Sequence, residues 1–444
     1  MRKTRVRPLL RIAALALVAA MFGMNGVAHA ETKISYPHLW ASNAPAYQRL
    51  PDSAPVDANS ETIVQNLKKF GIEQYGDRKR GLPSMNLAIR DYSNPLWAAK
   101  STDPKYDIEF SDCQNKGYLP EEFQNLKAVN IPDQAHPAKG TDGQVVIYNT
   151  DTGRYVDLWR AYKQNGHWYA CWGGSIANSY QSDGIFPFPS GVSASGAALE
   201  PYTVKVAELR AGHIDHVIGM SVPPNVIDRY VSKPATRSDG SLVRSSVTIS
   251  EGQILRLPAD LDIDALNLHP VAKTIAKAAQ EHGFMVMDGS GGISISLESS
   301  STFAVDPYLE LFGNAQAYNV MWGGAAKQYA AFPFDELQAL ERDYVPTAAV
   351  ALDPGSSSLP NSALDITFQV TDERATSFGF KAIGAPIGAR MKITWWRSGQ
   401  GQFTTVNTMN WWSGTNQAGY RNAQATVIDA SGKVLATSPI VKPW

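Results

Sequence analysis

The sequence predicts a mainly β protein: an antiparallel, jelly-roll-like or β-sandwich central domain with a few helices, followed by a C-terminal Ig-like β-sandwich. Three observations lead there. Short runs of β-branched and aromatic residues recur along the 444-residue chain, separated by Asn-Gly, Asp-x-Gly and Gly/Ser-rich turns; such turns supply the positive φ that hairpins need. Aromatic residues make up 10% of the chain, with 11 Trp and 18 Tyr, a composition that suits pleated surfaces and flat ligands. Helical spacing is confined to a few stretches, and the length suits two domains or one large β domain with an appendage.

Taken in order, residues 1–30 read as an export signal. Arg2, Lys3, Arg5, Arg7 and Arg11 precede a short apolar run, and Ala28-His29-Ala30 is a small-x-small cleavage site. The expectation is a secreted, extracellular protein cleaved after Ala30, with no membrane span in the mature chain. Residues 31–58 form a Pro/Ala-rich arm. Residues 60–70 are expected to be helical: Ile63, Val64, Leu67 and Phe70 share a face, Ser60 is placed to cap and Gly71 to stop the helix. Residues 143–172 read as an antiparallel meander with strands at 145–148, 155–162 and 167–172 and turns at Gly153 and Asn165-Gly166. A loop over 181–198, a helical turn at 207–211 and strands at 213–222 and 253–257 follow. The strongest helix is 270–282, with Pro270 at its first position and Gly283 closing it. Strands at 284–287 and 293–297 flank a glycine-rich turn.

Texture changes near residue 345. A Pro/Gly/Ser-rich stretch leads into strands at 366–370, 390–396 and 423–428 with no helical run between them, which predicts the small C-terminal sandwich. The expected division is therefore 1–30, 31–345 and 346–444.

Composition also excludes. Forty basic residues against 41 acidic give a net charge of −1, with no electrostatic footprint for nucleic acid. Cys113 and Cys171 are the only cysteines, and after export two thiols read most simply as one disulfide. No phosphate-cradling loop, dinucleotide fingerprint or Gly-x-Ser-x-Gly elbow is present. Asp260, Asp262 and Asp264 imitate a calcium loop, but Ala265 stands where glycine is needed and Val271 where a bidentate Glu is needed. No metal or cofactor is expected.

Candidate chemistry centres on a few side chains. Asp157 shares a strand face with Tyr155 and Trp159, an arrangement in which rings stack on sugars while the carboxylate moves a proton; the alternative is a solvent-facing residue of a half-exposed sheet. His216, on a predicted strand, is either a core histidine or the floor of a concave sheet, and alternation keeps it off the face of His213 and Asp215. Arg237-Ser238-Asp239 and Asp288 precede glycines, so each aspartate is a turn residue or a further carboxylate. The expected catalytic set is Asp157, His216 and Asp239, with Trp159, Trp172, Arg237 and Asp288 binding substrate.

The segments around Tyr155–Trp159, Ala211-Gly212-His213-Ile214-Asp215-His216, Arg237-Ser238-Asp239, Leu255-Arg256-Leu257-Pro258 and His282-Gly283-Phe284 together resemble a family of largely uncharacterised secreted bacterial proteins marked by a Gly-x-Ile-x-His-Ala strand. The resemblance covers residues 140–300, with Val217 in place of the family's alanine. It implies the domain and the His216 position and supplies no reaction. The general look is similar to jelly-roll polysaccharide-degrading enzymes as fold analogy. The expected function is a secreted glycoside hydrolase acting on a polysaccharide or cell-envelope glycan through a carboxylate pair assisted by histidine. The alternatives are a polysaccharide lyase using His and Tyr, and a non-catalytic glycan- or envelope-binding protein.

Overall fold

A computed structural model of the chain describes residues 39–346, apart from 314 and 325–327, and beyond them the backbone of strands between residues 365 and 437. The expected signal segment lies outside the described residues. β structure predominates, in several sheets with few helices. Among the described residues no helix is long and apolar enough to cross a membrane.

The central region is built on a six-stranded sheet. In spatial order its strands are Asn86–Ala88, Ser294–Ser296, Ile218–Val222, Phe284–Gly289, Ile254–Arg256 and Gln338–Ala339. Expectation and structure part here: the sheet is mixed, not antiparallel. Ile218–Val222 runs parallel to Phe284–Gly289, and Asn86–Ala88 parallel to Ser294–Ser296. Parallel neighbours need a long crossover, often through a helix, and the chain between Val222 and Phe284 includes the helix Pro270–Glu281.

Side chains of the sheet alternate between two cores. Phe284 and Val286 join Met220, Val222 and Ile295 beneath the helices Ser60–Glu73 and Pro270–Glu281, which bury Ile63, Val64 and Leu67 and Val271, Ile275 and Ala279. Met285 and Met287 point the other way, into a core with Val146, Tyr155, Phe186 and Tyr202. That second core lies between the six-stranded sheet and a four-stranded one, ordered Trp172–Ile176, Tyr155–Trp159, Val145–Asn149, Leu96–Ala99. The outer face of the smaller sheet buries Val145, Ile147, Val156 and Leu158 with Trp97 and Trp168.

The helix over 60–70 forms but runs on to Glu73. Gly71 does not stop it. A Cβ there would lie 2.8 Å from both Ile293 Cδ1 and Pro83 Cβ, so glycine serves close packing in mid-helix. Ser60 does not cap either; buried, its Oγ accepts a hydrogen bond from the Ala339 amide at 2.8 Å and ties the helix to the sheet edge. The strand expected from residue 155 to 162 breaks at Arg160, whose φ is +49°, into Tyr155–Trp159 and Tyr162–Gln164. The strand expected at 213–222 begins only at Ile218, which leaves His213, Asp215 and His216 in the loop before it. Alternation therefore does not govern those three residues.

The Cys113–Cys171 disulfide is present, with Cα atoms 5.5 Å apart. It fastens the loop around residues 111–118 to the start of the Trp172–Ile176 strand. Beyond residue 365 the described backbone forms two antiparallel sheets, one of Asp365–Val370, Phe378–Ile383 and Asn410–Ser413, the other of Gly401–Asn407, Arg390–Arg397, Tyr420–Ile428 and Val434–Thr437.

Candidate functional site

A cleft of about 1290 Å³ opens on the central region. Aromatic side chains line much of it, among them Trp159, Trp172, Tyr75, Tyr92 and Trp322, and so do Arg237, Asp239 and Asp288. Five of the residues expected to form the site thus meet: Trp159, Trp172, Arg237, Asp239 and Asp288. Asp157 and His216 are not among the lining residues.

Asp288 reaches the cleft through an irregularity of the main sheet. Met220 pairs with Val286, but Ser221 pairs with Asp288, so Met287 is the extra residue of a β-bulge. Strict alternation would send Asp288 to the helix side with Phe284 and Val286. The bulge turns it onto the cleft beside Met287. Its Oδ1 accepts the Gly289 amide at 2.9 Å and its Oδ2 the Ala194 amide at 3.2 Å.

Asp239 is delivered by a turn in which it takes no part. The Gly240 amide bonds to Ser238 Oγ at 3.0 Å, and that hydroxyl bonds to the Asp228 carbonyl at 3.3 Å. The expected Asx turn is therefore a serine turn, and the Asp239 carboxylate stays free of it. Gly240 is obligatory, since a Cβ there would lie 2.2 Å from the Asp228 carbonyl oxygen. The exposed Asp239 side chain lies over Gly289, where a Cβ would sit 3.6 Å from both its oxygens.

The third member of the cluster was not anticipated. Glu251 ends the strand Ile249–Glu251 and is fully buried. One oxygen each of Asp239, Glu251 and Asp288 lie within 4.8 Å of one another, a set of hard ligands that can hold a cation. Neither Glu251 oxygen makes a hydrogen bond of ordinary geometry. Burial, and then the charges of Asp288 and Asp239, push the Glu251 carboxyl up to about 10. Burial and the Asp239 charge raise Asp288 to about 7, with the Ala194 amide pulling the other way. The one local signal was Glu251-Gly252 before a strand: Gly252 has φ +89°, and a Cβ there would strike the Ser232 carbonyl.

Arg237 is the positive charge these carboxylates face. Its two terminal nitrogens donate at 2.6 Å to the carbonyls of Pro189, Gly191 and Ser193, which holds that stretch of the lining in place, while its buried Nε makes no hydrogen bond. Trp172 Nε1 donates to the same Pro189 carbonyl at 3.2 Å. Trp159 Nε1 donates to Asp142 at 3.3 Å, and Lys116 sits 3.9 Å from the Trp172 ring centre on the loop that the disulfide anchors.

The expected Asp157–His216 unit is not assembled. Asp157 does share a strand face with Tyr155, but that face looks into the layer between the two sheets, and Asp157 is fully buried there. Tyr155 Oη lies 3.5 Å from it. Burial pushes its carboxyl up to about 8, against the opposing pull of Arg237 and the Tyr155 hydroxyl. His216 is buried elsewhere. Its Nδ1 is 2.8 Å from the Val217 carbonyl oxygen and its Nε2 3.2 Å from Glu208 Oε2, so both ring nitrogens are taken. Burial would raise the Glu208 carboxyl, but His216 and Lys205 outweigh it and hold it at about 2.

In comparisons with protein-family models, with curated proteins and with solved structures, nothing matches this chain.

Proposed function

We propose that this protein is a secreted glycan-degrading enzyme, a glycoside hydrolase, that works on an extracellular polysaccharide in the aromatic-lined cleft with Asp239 and Asp288 at the glycosidic bond. The observation that carries the reading is that pair: two carboxyl groups with oxygens within 4.8 Å of each other, on the lining of a large cleft that also presents Trp159 and Trp172. Indole faces stack on the apolar faces of pyranose rings. Paired carboxyls are what hydrolysis of a sugar acetal uses, one serving the leaving oxygen and the other the anomeric carbon or its attacking water. Arg237 is a positioning residue, since its three carbonyl contacts shape the 189–193 stretch beside the pair. Asp157 interacts with Arg237 electrostatically from its buried position, and His216 has no part in this chemistry. The N-terminal export pattern and the disulfide support an extracellular setting. The two antiparallel sheets after residue 365 support a C-terminal β-sandwich appendage.

A panel of polysaccharides, scored for new reducing ends and for the absorbance of an unsaturated product, tests this. The expected result is reducing-end release without unsaturation, lost by at least about 100-fold in Asp239→Asn and in Asp288→Asn. An unsaturated product would make the protein a lyase. Glycan binding with no product across the panel would make it a binding protein and end the hydrolase reading.

A further inference from the structure

The unpartnered Glu251 carboxylate is the exception among the buried acids of this protein. Glu200 accepts a hydrogen bond from Trp40 Nε1 at 2.6 Å and lies 3.2 Å from Lys205 Nζ. Glu208 has His216 and the Lys205 amide. Asp228 accepts from Ser250, Thr248 and the Tyr230 amide and is flanked by Arg244 and Arg342. Among the described residues only Glu251 has both carboxylate oxygens buried without a partner. A buried carboxyl without a well-formed hydrogen bond is unfavourable in either protonation state, so an orphan of this kind asks what satisfies it.

The protein's own groups answer it only in part: Arg237 attracts it and the Ser238 and Asp239 side chains lie beside it, but neither Glu251 oxygen has a hydrogen bond of ordinary geometry. Arg237 directs its terminal nitrogens to three carbonyls, and two more acids, Asp239 and Asp288, each bring an oxygen within 4.8 Å of a Glu251 oxygen. We infer that the Asp239–Glu251–Asp288 cluster is a binding site for one hard divalent cation, of the calcium, magnesium or manganese class. Oxygens that share a calcium at about 2.3–2.6 Å lie at most about 5 Å apart, and the three oxygens here meet that bound without rearrangement. An all-oxygen, all-carboxylate set selects hard cations over zinc or copper. Glu251 supplies the inner ligand. Asp288, half-buried, and Asp239, exposed, supply the cleft side, which leaves the remaining coordination positions to water or to hydroxyls of a bound molecule.

The inference goes beyond the glycan reading. If the cluster also cleaves glycans, cation and cleavage draw on the same oxygens. Cation binding is therefore measured on the full chain without any glycan, so that failure of one reading leaves the other standing. Chelator-treated protein is titrated by calorimetry with CaCl2, MgCl2 and MnCl2, and melting is followed with and without each salt. One cation per chain and a rise in melting temperature are expected with at least one of them. Glu251→Gln should abolish both effects, and Asp239→Asn should weaken binding by at least about tenfold. Asp239 is exposed, so its variant decides the matter even if Glu251→Gln does not fold. Absence of heat and of any melting shift up to about 10 mM, weaker than the weakest extracellular calcium modules, would overturn the inference. So would binding that is unchanged in the Asp239→Asn protein.

Discussion

Two of the regions that bury carboxylates, around Glu208 and around Glu251, treat them in opposite ways. Around Glu208 every charge has an answer: His216 on one oxygen, the Lys205 amide on the same side chain, and Lys205 Nζ bound to Glu200 next to it. Around Glu251 the acids face one another, Arg237 directs its terminal nitrogens to backbone carbonyls, and the cluster adjoins a wide cleft. A satisfied network rigidifies a fold. An unsatisfied one next to solvent persists at a cost in stability, and such sites gather where a ligand or a reaction needs them.

The contrast breaks most visibly in stability. Glu208→Ala removes one partner of a buried pair and leaves His216 unanswered, so chemical denaturation should show a loss of about 3–5 kcal/mol. His216→Gln should also lower the melting temperature without changing the cleft. A variant at either position that melts like the parent protein would mean that this network does not hold the fold.

Acidity should separate the regions next. The Glu208 carboxyl is lowered to about 2 in the fold, so its contribution is complete above the unfolded value near 4.5 and is lost as pH falls toward 2. Asp157 is raised to about 8, so its contribution is complete below about 4 and is lost as pH rises through 8. Stability measured against pH should therefore slope down on both sides of the mildly acidic range, each limb by a few kcal/mol. Asp157→Asn should make the alkaline limb shallower without touching the acid one, leaving the part that the raised Asp288 and Glu251 carboxyls contribute. If the alkaline limb is unchanged in that variant, Asp157 is not held protonated by its burial.

The disulfide bears on the cleft side. It closes a sequence separation of 58 residues and anchors the loop that carries Lys116. Replacing both cysteines by serine should cost about 2–4 kcal/mol and loosen that loop, visible as faster proteolysis near residues 111–118. The smallest effect belongs to Asp239→Asn. As an exposed member of the acidic cluster it should change stability by no more than about 0.5 kcal/mol while removing activity and weakening cation binding. A large loss of stability there would place Asp239 among the structural acids.

Much of the fold was legible locally. The Pro270–Glu281 helix follows from a proline at its first turn and apolar residues at helical spacing, and His269 caps it by accepting the Val271 amide. The hairpin between Val145–Asn149 and Tyr155–Trp159 follows from Gly153 in a positive-φ turn. Of the site, Arg237, Asp239, Asp288 and the two tryptophans were legible as residue types beside turns. Glu251 was not, because one acidic residue before a glycine reads like any surface turn until its burial is known.

Short-range chemistry thus dictated the Gly153 turn, the proline-started helix and the existence of many strands, since each depends on neighbours along the chain, and a chain with two cysteines allows one bridge. Long-range packing decided the rest. The stacking of the small sheet on the large one turned the face of Asp157 inward, where the strand pattern alone allowed a solvent-facing side chain. The bulge at Met287 moved Asp288 from the helix side to the cleft, because a one-residue slip reverses every side chain beyond it. The late start of the Ile218–Val222 strand left His216 to Glu208. Which carboxylates end up paired and which face a cleft depends on residues tens of positions away, and no local periodicity carries that information.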